Sequence, residues 1–249
     1  MTDSGGSHEA AVPAPGHTVP QVKICGLTRE QDAAHAEASG ASYLGVILAG
    51  GPRLLTLPQA RAVLGPRRAG IQRVAVFGEQ SVEEILGIAE SLDLDVMQLH
   101  GHPAGTHGAA NAGKALADTV HRLRERSGRT VWPVLRVAGQ ELPLHTSMVA
   151  RASGVLVLDA HVVGQLGGTG VALDWSGLRD GLLSLRTSAV SLQLVLAGGL
   201  RPENVSTAIR LLSPQVVDVS SGVEVAPGVK DPERVQQFVK AARGAVETQ

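Results

Sequence analysis

The sequence predicts an α/β protein, a single (β/α)8 (TIM) barrel, and three observations carry that expectation. Eight short β-branched and aliphatic runs alternate with eight helical patterns. Such alternation makes a parallel sheet, and eight repeats favour closure into a barrel over an open doubly wound sheet. The length, 249 residues, matches the typical size of such a barrel, about 250 residues. Two late runs, Val195-Leu196-Ala197-Gly198-Gly199 and Val217-Asp218-Val219-Ser220-Ser221-Gly222-Val223-Glu224, stop abruptly at small residues. A buried parallel strand ends this way where its backbone must approach a ligand. Glycine N–H groups and serine hydroxyls then make an anion cradle, which in this fold sits after strands seven and eight.

Taken in order, residues 1–20 are rich in Gly, Ala, Ser and Pro without apolar periodicity, which reads as a disordered leader. A strand over 22–25 is closed by Gly26, and Thr28 with Gln31 has the spacing of a capping box opening the first helix. A second strand over 43–48 runs into Ala49-Gly50-Gly51-Pro52-Arg53, ahead of a helix starting near Pro58. The third strand, 73–77, precedes a helix capped by Ser81 with Glu84 and extending through Leu92. The fourth, 96–99, ends in His100-Gly101, and the Gly/Ala-rich segment 102–129 reads as an elongated surface elaboration with a basic helical part at 116–126. Strands five to eight are expected at 131–137, 154–158, 192–196 and 215–219, with helices at about 142–151, 175–185, 202–212 and 232–242. The run Gly167-Gly168-Thr169-Gly170 suits a mobile lid after strand six. The domain plan is a leader at 1–20, the barrel at 21–244 and a tail at 245–249.

Composition narrows the function. A net charge of −1 and 43% hydrophobic content suggest neither a nucleic-acid surface nor a disordered acidic chain. No run reaches the roughly 18 apolar residues of a membrane span, and the first 20 residues lack a signal peptide's basic start and apolar centre. Cys25 is the sole cysteine, so no intrachain disulfide forms and a cytoplasmic location is expected. Aromatics make up only 2%, so the core must be built from Val, Leu, Ile and Ala. His17, His35, His102, His107, His121, His145 and His161 show no metal-ligand spacing.

Strand parity gathers the polar residues. Side chains two apart on a strand share a face, so Lys23 and Cys25 point to the barrel axis while Val22 and Ile24 point outward. By the same count Gln98 pairs with His100, Asp159 with Val157, and Asp218 with Val216 and Ser220. These polar groups lie at strand C-termini, the catalytic end of this fold. Taken singly, Cys25 reads equally as a small core residue, Asp159 as a helix cap and Arg53 as a solvated loop cation.

Val22-Lys23-Ile24-Cys25-Gly26-Leu27-Thr28, Gln98-Leu99-His100-Gly101, Leu158-Asp159, Gly167-Gly168-Thr169-Gly170, Leu173-Asp174-Trp175, Gly198-Gly199-Leu200 with Pro202-Glu203-Asn204-Val205, and the run from Asp218 through Glu224 form an ordered set. Over about 22–243 this set resembles the phosphoribosylanthranilate isomerase family. The resemblance implies a (β/α)8 barrel of tryptophan biosynthesis that carries out an Amadori rearrangement on a phosphorylated small molecule, without cofactor or metal. It turns the N-glycosidic ribose phosphate of anthranilate into the open-chain 1-deoxyribulose product. It also implies Cys25 as general base and Asp159 as general acid. Arg53 would take the anthranilate carboxylate, Gln98, His100 and Asp218 would contact substrate, and Gly198, Gly199, Ser220, Ser221 and Gly222 would hold phosphate.

The chemistry asks for these types. An acid protonates the ring oxygen while the aniline nitrogen pushes, giving a Schiff base, and a base then takes the C2′ proton to give an enolamine. A thiol titrating at about 8.5 is a better base if lowered, and Lys23 on the same face is expected to lower Cys25. Asp159 must be held protonated by a partly buried site, because an ordinary carboxyl near 3.9 is mostly ionised at pH 7.

The chain also departs from the family pattern. Gly51-Pro52-Arg53 replaces a Ser-Pro-Arg loop and is one residue shorter, leaving the aim of Arg53 open, and His102 stands where an acidic residue is usual. Two other readings remain: a different sugar-phosphate isomerase or epimerase on a shared fold, and a silent barrel that binds a phosphorylated ligand. Monomer and homodimer are both compatible with the helix faces.

Overall fold

The computed structural model describes residues 18–100, 109–137, 139–160, 174–188 and 192–245. Eight parallel strands close into a barrel in sequence order: β1 Gln21–Ile24, β2 Tyr43–Ile47, β3 Gln72–Phe77, β4 Val96–Leu99, β5 Thr130–Val137, β6 Val155–Ala160, β7 Gln193–Leu196 and β8 Val216–Val219. Closure is made by β1, which pairs with β2 on one side and β8 on the other, Lys23 lying opposite Asp218. Eight helices surround it: α1 Glu30–Ala38, α2 Leu57–Leu64, α3 Val82–Ser91, α4 Ala109–Ser127, α5 Thr146–Ser153, α6 Trp175–Ser188, α7 Val205–Leu212 and α8 Pro232–Gly244.

Alternation along the strands sorts two cores. Val74, Val96, Trp132, Val157, Val195 and Val216 pack inside the barrel. Their strand neighbours, such as Val22, Ile24, Leu44 and Val46, face outward against helical residues such as Ile85, Leu116, Leu178 and Phe238. Each such aliphatic side chain contributes about 1.5–3 kcal/mol when fully buried. With so few aromatics, the Tyr43 and Trp132 rings, 5.0 Å apart, fill the barrel interior where valines alone would leave space.

The strands lie within two residues of the sequence reading, and the differences fall on helix starts. Ser81 and Glu84 form the expected capping box of α3. Thr28 and Gln31 do not: α1 begins after Arg29, which makes no side-chain cap, because the Thr28 hydroxyl donates instead to the Gly228 carbonyl at 2.5 Å. The helix expected at 116–126 is found as α4, which begins seven residues earlier, at Ala109, within the segment expected as a surface elaboration, and its Leu116, Val120 and Leu123 are buried. Helices α5 and α7 start three or four residues later than expected, at Thr146 and Val205. After β8 the chain makes a short 3-10 turn, Ser221–Val223, and an antiparallel pair, β9 Glu224–Ala226 with β10 Val229–Lys230, that periodicity did not reveal. Such two- and three-residue strands are too short to carry a pattern. Residues 1–17, 101–108, 161–173 and 246–249 lie outside the described residues, and with them most of the leader, most of the tail and the glycine-rich lid. Among the described residues no helix is long and apolar enough to cross a membrane.

Candidate active site

The eleven residues expected to act on or bind a ligand all line one cleft at the C-terminal mouth of the barrel, with about 710 Å³ of empty space including the part open to solvent. Cys25 follows β1, Arg53 lies in the loop after β2, and Gln98 and His100 sit at the end of β4. Asp159 is near the end of β6, Gly198 and Gly199 follow β7, Asp218 is in β8, and Ser220, Ser221 and Gly222 follow β8. A ligand pocket of this fold is expected at this end.

The cleft has two unlike sides. On one, Gly198 and Gly199 take left-handed backbone conformations, φ +83° and +67°, which side chains rarely adopt. Beside them Gly222 abuts the Leu200 carbonyl, where any Cβ would collide. With the hydroxyls of Ser220 and Ser221 these form the small-residue cradle. On the other side Ile47, Ala49 and Val76 give an apolar wall. Four buried polar atoms of the lining have no hydrogen-bond partner among the described residues: Gln98 Oε1, His100 Nε2, Asp218 Oδ1 and Ser220 Oγ. Leaving a buried polar group unsatisfied costs about 1–3 kcal/mol, so their concentration here marks a surface made to meet a polar ligand.

Beneath the cradle lies a buried charged group. Lys23 is fully buried and its Nζ donates to Asp218 Oδ2 at 2.8 Å. Burial pulls Lys23 down, but the neighbouring Asp218 and Cys25 outweigh it, and its pKa is raised. Burial pushes the Cys25 thiol up; Lys23 pulls it down and Asp218 pushes it up again. The expectation of a lowered thiol is therefore corrected: Lys23 acts in the expected direction but loses to desolvation and to its own partner. Gly45, on the adjacent β2, makes room for this group, since a Cβ there would stand 3.0 Å from Lys23 Cε and 3.2 Å from Cys25 Sγ.

Across the mouth, His100 Nε2 is 3.4 Å from Asp159 Oδ2. Burial first, then the Arg136 and Lys23 charges, lower the His100 pKa to about 4, so the imidazole is neutral at pH 7. Arg136, at the end of β5 opposite Asp159 in register, donates to the His100 carbonyl at 3.4 Å.

Arg53 is not a loose cation. Its Nε and Nη2 form a fork on Glu224, at 2.8 Å and 2.5 Å, and Lys230 Nζ donates to the same carboxylate at 2.7 Å. Burial would raise the Glu224 pKa, but Arg53 and Lys230 together lower it. The fork raises the Arg53 pKa, whereas burial wins at Lys230 and lowers it. Sequence reading missed Glu224, Lys230, Arg136 and Gly45. Arg136 carried a usable signal, its parity with the inward Trp132 and Val134, while Lys230 stands in a two-residue strand with none.

The fold and the cleft define a (β/α)8 barrel with a small-residue cradle and titratable groups from strands one, four, six and eight at its mouth. The profile of the N-(5'-phosphoribosyl)anthranilate (PRA) isomerase family matches residues 22–241, and the chain belongs to that family. An N-(5'-phosphoribosyl)anthranilate isomerase of Pseudomonas fluorescens is 38% identical over 228 residues, which are 91% of this chain and 97% of that one. A solved phosphoribosyl anthranilate isomerase in complex with reduced 1-(o-carboxyphenylamino)-1-deoxyribulose 5-phosphate superposes with a TM-score of 0.72 at 30% identity, covering 90% of this chain and 99% of that chain. Monomers generated from the dimeric isomerase of Thermotoga maritima superpose with a TM-score of 0.71 at 31% identity, again covering 90% and 99%.

Proposed function

We propose that this chain catalyses the Amadori rearrangement of N-(5-phosphoribosyl)anthranilate to 1-(2-carboxyphenylamino)-1-deoxyribulose 5-phosphate in tryptophan biosynthesis, by general acid and base catalysis at Asp159 and Cys25. The observation that carries this reading is the single cleft in which a small-residue cradle faces an apolar wall, with the thiol and the carboxyl between them. The cradle of Gly198, Gly199, Ser220, Ser221 and Gly222 takes the phosphate. The anthranilate ring lies on Ile47, Ala49 and Val76, its carboxylate turned to the free Nη1 side of Arg53. Gln98, His100 and Asp218 meet the sugar hydroxyls and the aniline nitrogen with the polar atoms that otherwise lack partners.

Asp159 protonates the furanose oxygen as the nitrogen lone pair pushes, opening the ring to a Schiff base. His100 Nε2 lies 3.4 Å from the Asp159 carboxyl and is itself neutral at pH 7. Cys25 as thiolate takes the C2′ proton, and the enolamine ketonises to product. A high thiol pKa makes the thiolate scarce but strongly basic once formed, and Lys23 beside it stabilises that charge. The work is done in the cytoplasm, by a monomer or by a homodimer as in the Thermotoga maritima relative.

The test follows loss of phosphoribosylanthranilate fluorescence, the substrate being made in place from anthranilate and phosphoribosyl pyrophosphate by the preceding transferase. Wild type should consume it rapidly, and Cys25→Ala and Asp159→Asn, both folded, should each lose activity by about 10²-fold or more. A folded wild type without turnover would overturn the isomerase reading.

A further inference from the structure

The fork between Arg53 and Glu224 raises a question of charge. Arg53 spends Nε and Nη2 on a carboxylate, so that pair alone is neutral and offers an approaching substrate carboxylate no net attraction. A third group restores it. Lys230, with a side chain only 1% exposed, places its ammonium 2.7 Å from Glu224 Oε1, and the Glu224 side chain is itself only 4% exposed. The three together carry one positive charge, and Arg53 is the member of the three that lines the cleft.

The position of Lys230 is built from the other end of the chain. Its backbone N–H donates to Asp32 Oδ2 at 3.0 Å, and Asp32 is gripped by the Arg29 guanidinium at 2.6 and 2.9 Å. The Thr28 hydroxyl holds Gly228 two residues earlier. Lys230 Nζ also donates to the Ser220 carbonyl at 3.1 Å, which ties it to the edge of the phosphate cradle. Burying a lysine is costly, and a merely structural prop would not need an ammonium there.

We infer that Lys230 and Glu224 are positioning residues for substrate recognition: Glu224 fixes the guanidinium plane of Arg53, and Lys230 supplies the charge that Glu224 cancels, so that the site selects a ligand bearing a carboxylate beside its phosphate. The inference rests on the isomerase reading for the identity of that ligand. In a poorly solvated site one charge decides between a carboxylate and its absence, whereas hydrogen bonds alone would hold the plane of Arg53 without favouring an anion.

The experiment compares two ligands by calorimetry: the reduced product 1-(2-carboxyphenylamino)-1-deoxyribulose 5-phosphate and the same compound without its ring carboxyl. Wild type should prefer the carboxylated ligand, and Lys230→Gln should reduce that preference about tenfold while changing affinity for the carboxyl-free ligand by less than about threefold. The double variant Glu224→Gln/Lys230→Gln leaves Arg53 as the one charge and should return the preference to within about threefold of wild type. Equal loss for both ligands would make Lys230 a prop of the cradle through Ser220 and overturn the inference, as would an unchanged preference. Should Lys230→Gln fail to fold, Glu224→Gln decides: it leaves two positive charges and should raise the preference for the carboxylated ligand, and a preference that stays or falls contradicts charge balance. Turnover of phosphoribosylanthranilate by wild type is measured alongside. Its absence would sink the isomerase reading, whereas turnover with an unaltered preference in Lys230→Gln would sink only the role of Lys230 and Glu224.

Discussion

At Cys25 two charges of opposite sign act on one thiol, and they can be separated. Lys23 pulls the pKa down and Asp218 pushes it up, with burial above both. Asp218→Asn should therefore lower the thiol pKa and Lys23→Met should raise it, read from the pH dependence of iodoacetamide alkylation in each folded variant. Movement of both in one direction would contradict the arrangement. Lys23→Met also strands a buried carboxylate, which costs about 3–5 kcal/mol and should appear as a lower unfolding midpoint. Gly45→Val, which pushes branches against Lys23 and Cys25, should lose activity with little loss of expression, whereas Gly51→Ala, with open space around it but a φ of +82°, should tell mainly on stability. That Cys25, Gln98, His100, Asp159 and Asp218 reach one cleft was legible from strand parity, and the small-residue ends of β7 and β8 marked the cradle, whereas Arg53 was singled out only by the family resemblance. Glu224 and Lys230 were not legible, because Glu224 matters through its ion pair to Arg53, a partner 171 residues away that no local pattern encodes, and Lys230 acts only through Glu224.

Among the elements, strands could be read more closely than helix starts. A strand's run of Val and Leu ends where the burial ends, while a helix start depends on which group a cap residue bonds. Ser81 and Thr28 show the difference. Ser81 caps α3 with Glu84, so Ser81→Ala should cost about 1 kcal/mol of stability and leave the affinity for substrate unchanged. Thr28 spends its hydroxyl on Gly228, so Thr28→Val should instead loosen the turn carrying Lys230 and raise KM for phosphoribosylanthranilate with a smaller change in kcat. Urea unfolding and steady-state kinetics on both variants check the contrast, and equal stability losses without a KM effect at Thr28 would refute it. The start of α4 was misplaced for a related reason: the helix begins at Ala109, seven residues before the expected 116, and its Gly/Ala-rich first turns carry no large apolar residue ahead of the buried stripe of Leu116, Val120 and Leu123.

For the whole molecule, the site imposes a pH dependence on stability. The unfolded chain carries an ordinary histidine at 6.5, whereas folded His100 stays neutral down to about 4. Between those values the unfolded state binds the extra proton, so stability falls as pH drops through that window, by up to about 3 kcal/mol. His100→Gln should flatten this part of the unfolding profile between pH 6.5 and pH 4, and an unchanged slope would count against a buried neutral imidazole. Closure of the barrel has a consequence in time as well. β1 pairs with β8, Lys23 waits for Asp218 195 residues later, and Thr28 waits for Gly228 200 residues later. A chain growing from a ribosome makes its thiol early and its small-residue cradle last. Until nearly all of it has emerged, the nascent protein holds a buried-type lysine without its counter-ion and an open sheet edge, so neither half-made product nor C-terminally shortened fragment should show partial turnover.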